Sequence, residues 1–305
     1  GGLSAAAVLL ELGHKFKIFD KAQSLGGMVQ SVIPAERQGR ALNREIEAIF
    51  KDLPQSRMEL RLNTVLDENF NLNNILQDGF DAVFIGIGLP KGINSFDKKI
   101  NGLYDALEFL AMAKQSDKSD LSGKKVAVIG GGNTAMDAAT TAKQLGSADV
   151  YLIYRRSFEQ MPAWEAERQR AMEQGIHFII LTGQLGYETE NGKLTAIKVC
   201  PTKLSEPDNS GRRKPIADKK NEYKLEMDII IEAIGQSSDD NLEKILPGVK
   251  IEQGLIKTLP DSFATSRNAV YAGGDIAGGA STVVAAVADG MKAAREIDKY
   301  LKGEK

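Results

Sequence analysis

The stretch Lys125-Val126-Ala127-Val128-Ile129-Gly130-Gly131-Gly132-Asn133-Thr134-Ala135 decides how this chain is read. Its apolar first half suits a strand buried on both faces of a parallel sheet. Glycines that run straight into a helix suit a tight strand-to-helix turn. Gly130 permits the turn, Gly131 and Gly132 let backbone approach a pyrophosphate, and Ala135 lets helix and strand pack closely. The helix opening at Asn133, Thr134 and Ala135 then aims free N–H groups and a positive dipole end at the phosphates. A glycine-rich turn in a plain α/β sheet is the bland alternative. The setting argues against it, because a helix to Leu145 and a second strand, Val150 to Tyr154, complete a strand, turn, helix and strand unit.

The end of that second strand sets the choice of nucleotide. An acid there would bind an adenosine ribose and repel a 2'-phosphate, but the residues are Tyr154-Arg155-Arg156-Ser157. Two guanidiniums can hold a phosphate bidentately, and Tyr154 or an arginine can cover the adenine. NADPH is therefore expected over NADH. Arginines that are merely solvated are the alternative.

Working outward, Gly1 to Gly13 reads as a helix that begins at once, followed by a strand from Lys15 to Phe19 that ends in Asp20. No strand precedes the helix. Asp81 to Gly88 and Asp228 to Ile234 read as apolar strands ending in glycine. Lys114 to Gly123 is polar and reads as a linker, while Ile176 to Lys203 and Tyr223 to Ile234 suggest antiparallel strands around a Ser205 to Lys220 loop. Val270 to Ala272 leads into Gly273-Gly274-Asp275 and a final helix from Ser281 to Leu301. The half-similar stretches 1–88 and 125–235 imply an internal duplication.

The chain has 305 residues, 42% hydrophobic and 26% charged, with a net charge of −2, enough for two domains with a core each. That charge offers no field to recruit nucleic acid or an anionic membrane. No apolar run approaches the roughly 20 residues that cross a bilayer, and no signal pattern opens the chain, so a cytoplasmic protein is expected. Cys200 is the single cysteine. These residues therefore hold no internal disulfide, no Cys-x-x-Cys pair and no four-cysteine cluster. His14 and His177 are too sparse to support a metal site, and none is expected.

Gly130 to Asp137, Tyr154-Arg155-Arg156-Ser157, Met161-Pro162-Ala163, Glu232-Ala233-Ile234-Gly235-Gln236 and Ala272-Gly273-Gly274-Asp275 together resemble the glutamate synthase small-subunit family. That family is related to the N-terminal part of dihydropyrimidine dehydrogenase. The resemblance implies an α/β fold of two Rossmann-like domains, with an NADP-binding domain (119–253) inserted into a discontinuous FAD-binding domain (1–118 and 254–305). It implies FAD and NADPH as cofactors. Family members carry Gly-x-Gly-Pro-Ala-Gly-Leu before Ser4-Ala5-Ala6, so Gly2 corresponds to the third glycine and the first strand of the FAD domain is expected to be missing.

By the same resemblance, Asp20 accepts hydrogen bonds from the adenosine ribose of FAD, with Lys21 beside it. Gly26 and Gly27 pass close to the flavin and its phosphates. Gly274 and Asp275 serve the ribityl or pyrophosphate region, with Ser281 and Thr282 at the start of the final helix. Gly88 and Gly235, at two strand ends, read either as hinge and floor between the cofactors or as plain turn glycines.

The expected reaction is hydride transfer from NADPH to the flavin, in which protein groups position the rings and no acid or base residue is identified. With one cysteine the electrons must leave to a partner subunit or a separate acceptor. A non-catalytic NADPH-binding subunit or fragment that does not retain FAD is the alternative, and a free-standing ferredoxin reductase shares the architecture.

Overall fold

The computed structural model describes residues 1–38, 42–51, 55–95, 100–115 and 120–304. In chain order the elements that matter are helix α1 (Gly2–Glu11) and strands β1 (Phe16–Phe19), β2 (Met58–Arg61), β3 (Val83–Ile85) and β4 (Leu103–Asp105). Next come α2 (Ala106–Gln115), β5 (Lys125–Ile129), α3 (Asn133–Gln144), β6 (Asp149–Tyr154) and β7 (His177–Ile180). Strands β8 (Thr182–Glu190), β9 (Lys193–Pro207), β10 (Arg213–Ala217), β11 (Tyr223–Glu226), β12 (Ile229–Glu232) and β13 (Val270–Ala272) precede the long helix α4 (Val283–Leu301). The fold is α/β. Among the described residues no helix is long and apolar enough to cross a membrane.

The chain forms two compact units: Gly1–Ser31 with Ala35–Lys91 and Gln236–Lys305, and Val32–Pro34 with Gly92–Gly235. The crossings at 91/92 and 235/236 differ from the expected boundaries at 118/119 and 253/254. The first of those boundaries falls in 116–119, outside the described residues. The polar run at Lys114 is not a domain linker, because β4 and α2 before it already belong to the second unit, where β4 pairs with β12. Past Gly235, Leu242, Ile245, Leu246 and Val249 join Leu72, Ile85 and Ile276 in the core of the first unit.

In the second unit a five-stranded parallel sheet runs β4-β12-β5-β6-β7. Strand periodicity sends Ala127 and Ile129 to one face and Val126 and Val128 to the other, and all four are buried. The first face packs with Leu194, Ile197 and Val199 of β9, so a four-stranded antiparallel sheet covers it. Helix α3 contributes Ala135, Met136, Ala138, Ala139 and Ala142, all essentially inaccessible, and its four alanines let helix and strand pack close. Asn191-Gly192, both at positive φ, turn β8 into β9 as the tight turn of a hairpin. The expected loop Ser205 to Lys220 is in part a hairpin, β9 running to Pro207 and β10 returning from Arg213. Its polarity is that of a strand pair exposed to water.

In the first unit β1 pairs in parallel with β2, and β3 with β13. Helix α1 serves both pairs. Ala5 and Val8 pack with Phe84, Met291 and Ala294, whereas Ala6 and Leu10 pack with Phe16, Ile18 and Phe50. The helix meets α4 at Gly290, where a Cβ would land on the Gly1 carbonyl and the Ser4 hydroxyl, so only glycine fits the crossing.

Candidate functional site

In the second unit the strand order reverses at the carboxyl ends of β5 and β12, because β5 leads through α3 to β6 on one side while β12 lies on the other. Loops part at such a point and leave a crevice for a ligand. Gly130, at φ +149°, makes the turn, and a Cβ there would land on the Ala233 carbonyl oxygen. A Cβ on Gly131 would come 2.5 Å from Tyr154 Cε2. Gly132 is different. Its backbone is extended (φ −90°, ψ 175°), it opens α3 with no side-chain cap, and nothing lies within 4 Å of its Cβ position. The first-turn N–H groups of Asn133 and Thr134 have no intrahelical acceptor, so they present donors and a positive dipole end to that open space. Ala135 N donates to Gly132 O at 3.0 Å and its side chain is buried, so its role is packing.

The loop is held from the side by the Met161 to Trp164 segment. Ala163 N donates to Gly131 O at 2.9 Å, and Trp164 N to Asn133 Oδ1 at 3.0 Å. Tyr154 is buried and its hydroxyl donates to Gln160 O at 2.7 Å. Of the two groups expected to be able to cover an adenine, Tyr154 backs the glycine loop, which leaves an arginine for that role. Arg155 is exposed, and among the described residues its side chain has no hydrogen bond or ion pair. Arg156 donates from Nε to Arg213 O at 3.2 Å.

One residue quoted only within a motif proves to be a hub. Glu232, 1% exposed, accepts from Ser95 N at 2.7 Å and Gln184 Nε2 at 2.8 Å, and from the Ser95 and Tyr187 hydroxyls. Burial first, and the Glu232 carboxylate second, push the Tyr187 phenol far above its ordinary value, so it stays a donor. The signal was an acid closing the run Ile229-Ile230-Ile231, whose donors come from β8 and from Ser95, neither of which a local pattern places beside it.

In the first unit the candidates fall into two groups. Asp20 closes β1, and its Oδ1 accepts from Ala22 N at 2.9 Å, leaving Oδ2 for a ligand; Lys21 beside it is exposed. Gly26 and Gly27 follow at φ +117° and +56°. The other group gathers where α1 and α4 begin. Nothing lies within 4 Å of a Cβ on Gly2, and one on Gly86 would come 3.1 Å from Gly2 N. Gly274, at φ +74°, donates to Asp289 Oδ2 at 2.9 Å, and Asp275 accepts from Ser281 N at 3.2 Å. Burial raises the Asp275 carboxyl, against the lowering effect of that hydrogen bond. Thr282 caps α4, its hydroxyl accepting from Ala285 N at 3.1 Å. Gly88 is at φ +65° with open space around it. Gly235, at φ +148°, is the last residue of the second unit, and its carbonyl accepts from Ile93 N at 3.0 Å.

Two α/β units, one with a glycine turn at a strand-order switch, make a dinucleotide-binding type of scaffold. Residues 1–290 match the pyridine nucleotide-disulphide oxidoreductase family, and the chain belongs to it. It is 39% identical to the NADP(+)-dependent formate dehydrogenase subunit beta of Moorella thermoacetica, over 99% of this chain and 42% of that one. It is 34% identical to the glutamate synthase (NADPH) small chain of Escherichia coli (strain K12), over 99% of this chain and 66% of that one. The chain thus spans under half of the first relative and about two-thirds of the second. Mycobacterium tuberculosis FprA in complex with NADPH shares the fold, with a TM-score of 0.77 at 17% identity, over 99% of this chain and 82% of that one.

Proposed function

We propose that this chain takes electrons from NADPH, held on the Gly130 to Ala135 loop, through FAD held by the first unit, to a partner subunit or separate acceptor. The observation that carries the choice of NADPH is Arg155, exposed and unpaired at the end of β6, where an acid would select the unphosphorylated cofactor. Arg156 adds a second guanidinium. Gly132 and the first-turn N–H groups of α3 would hold the pyrophosphate. Asp20 would hold the adenosine ribose of FAD through Oδ2, Gly2 and the α1 start would approach its phosphates, and Asp275 would accept from the ribityl chain. The open space around the Gly2 and Gly132 Cβ positions supports a close approach of phosphates at both. When bound, FAD supplies hydride acceptance and onward electron release.

What the side chains contribute is placement. Each binding group sits on a strand end or helix start fixed by a buried core, so little ordering is left to be done on binding. Cys200 is buried, and burial pushes its thiol up, which keeps it protonated and inert. With no second cysteine in these residues, the exit route is a group outside them. Relatives described as subunits, of formate dehydrogenase and of glutamate synthase, support a partner subunit in that role.

The test is a spectrum. The purified chain, supplied with FAD, should be yellow and should bleach anaerobically with NADPH at a lower concentration than with NADH. A chain that takes up no flavin, or that NADH reduces equally well, overturns the reading.

A further inference from the structure

We infer that the β9–β10 hairpin is the second wall of the 2'-phosphate subsite and that Arg213 is a specificity-determining residue for the phosphorylated cofactor. The inference rests on the NADPH reading and deepens it. The hairpin is tied to the arginine pair at its root. Thr202 Oγ1 donates to Arg155 O at 2.8 Å, Leu181 N to Arg156 O at 3.0 Å, and Thr202 N to Leu181 O at 2.7 Å. Nearer its tip the tie is made by side chains. Arg156 Nε donates to Arg213 O at 3.2 Å, and Arg213 Nε donates to Ser205 O across the hairpin at 2.8 Å. Both arginines are thereby held by their inner nitrogen. Their terminal amines, the fork that takes a phosphate, make no hydrogen bond or ion pair among the described residues.

The charge balance points the same way. Arg155, Arg156, Arg212, Arg213 and Lys214 stand on this segment and hairpin, and among the described residues none has a carboxylate within 4 Å. The hairpin's own acid, Asp208, is engaged by Ser210 N and Oγ and by Arg212 N. Glu206, beside it, is exposed and pairs with none of them. Solvated hairpin cations would be free to swing apart. Arg213 is instead half-buried and fixed at Nε, and its own backbone carbonyl holds the Arg156 guanidinium. A dianionic phosphate can pair with guanidiniums fixed in this way, and a ribose hydroxyl cannot. The register shift in β9 between Leu204 and Pro207 bends the hairpin where it faces Arg213.

The experiment compares the full chain with Arg213→Gln and Arg213→Lys, titrated separately with NADPH, NADH, adenosine 2'-phosphate and adenosine 5'-phosphate. Loss of one charged contact should weaken NADPH and adenosine 2'-phosphate about tenfold in Arg213→Gln. NADH and adenosine 5'-phosphate should stay within about twofold, and Arg213→Lys, which keeps the charge and loses the fork, should fall between. Should Arg213→Gln melt early, the comparison is read from Arg213→Lys alone, as a selective loss on the two 2'-phosphorylated ligands. An unchanged NADPH affinity in the variant, or an equal loss on NADH, overturns the inference. A wild-type chain with no preference for NADPH overturns the reading beneath it instead. A preference that survives both variants overturns only the role of the hairpin.

Discussion

Gly132→Ala should separate nucleotide binding from folding. The backbone at Gly132 is open to any residue, and the space around its Cβ position is empty to 4 Å. Alanine is a poorer helix cap than glycine by about 0.5–1 kcal/mol. It also narrows the unfolded ensemble, a gain of about 0.4–1 kcal/mol, so the net change in stability is near zero. Binding responds differently, because the methyl stands where a phosphate oxygen must come within about 2.9 Å of an N–H. One charge-assisted hydrogen bond lost is about 1.5–3 kcal/mol, or roughly 10- to 150-fold in Kd. Trp164, the sole tryptophan, whose backbone N–H bonds Asn133 of the loop, provides the signal: its fluorescence is titrated with NADPH, and a thermal melt is run beside it. Wild-type affinity in Gly132→Ala would refute the placement of the phosphates. A large fall in Tm would show that the glycine is structural. Gly130→Ala is the contrast, since its Cβ meets the Ala233 carbonyl at φ +149° and the variant should lose stability by about 2 kcal/mol or more.

Other substitutions probe the remaining parts. Arg155→Gln should weaken NADPH about tenfold and leave NADH unchanged by the same titration, and an equal loss on both would make Arg155 a general surface contact. Gly290→Ala should destabilise the protein by about 2–3 kcal/mol in a urea melt, because the methyl has only the Gly1 carbonyl and Ser4 hydroxyl to meet; an unchanged midpoint would show that α1 and α4 can part there. Glu232→Gln should cost about 2–4 kcal/mol in the same assay, since an amide turns one acceptor oxygen into a donor facing donors, and a neutral result would show water among the partners. Asp275 titrates above its ordinary value in the folded state, so its contribution to stability is present below about pH 4 and is lost as pH rises through the raised value. Asp275→Asn should therefore raise Tm at pH 7 and not at pH 4, while weakening FAD; a gain of equal size at both pH values would assign the effect to packing.

What the sequence made legible, and what it did not, follows from how local each feature is. The glycine turn, the helix after it and the paired arginines are consecutive, so strand periodicity and glycine placement locate them without tertiary information. The domain crossings at 91/92 and 235/236 are not local, being set by which sheet β4 joins and which core Leu242 and Leu246 enter. A polar run such as Lys114 to Gly123 marks solvent, and solvent bounds a helix end as readily as a linker. The choice between Tyr154 and an arginine as the adenine cover stays open in the sequence for a related reason. The tyrosine hydroxyl could stay wet over an adenine or bond Gln160 O from inside, and only the backing of Gly131 decides between them.

The same logic explains why the hairpin proposed to set specificity does not stand out in the sequence. Ser205 to Lys220 lacks the alternation of a buried strand, because β10 is mostly exposed and needs no apolar face. A hairpin free of packing duties can carry Arg212, Arg213 and Lys214 without disturbing the core, and anchoring at Thr202 and Asp218 keeps those charges beside β6. In the proposed reading the parallel sheet would place a dinucleotide through backbone and small side chains, which distinguish poorly between phosphorylated and plain ribose. Charge does distinguish them, and it is concentrated on the end of β6 and the hairpin tied to it. Selectivity can therefore change by substitutions at Arg155, Arg156 and Arg213 while the glycine turn, and with it the fold, stays as it is.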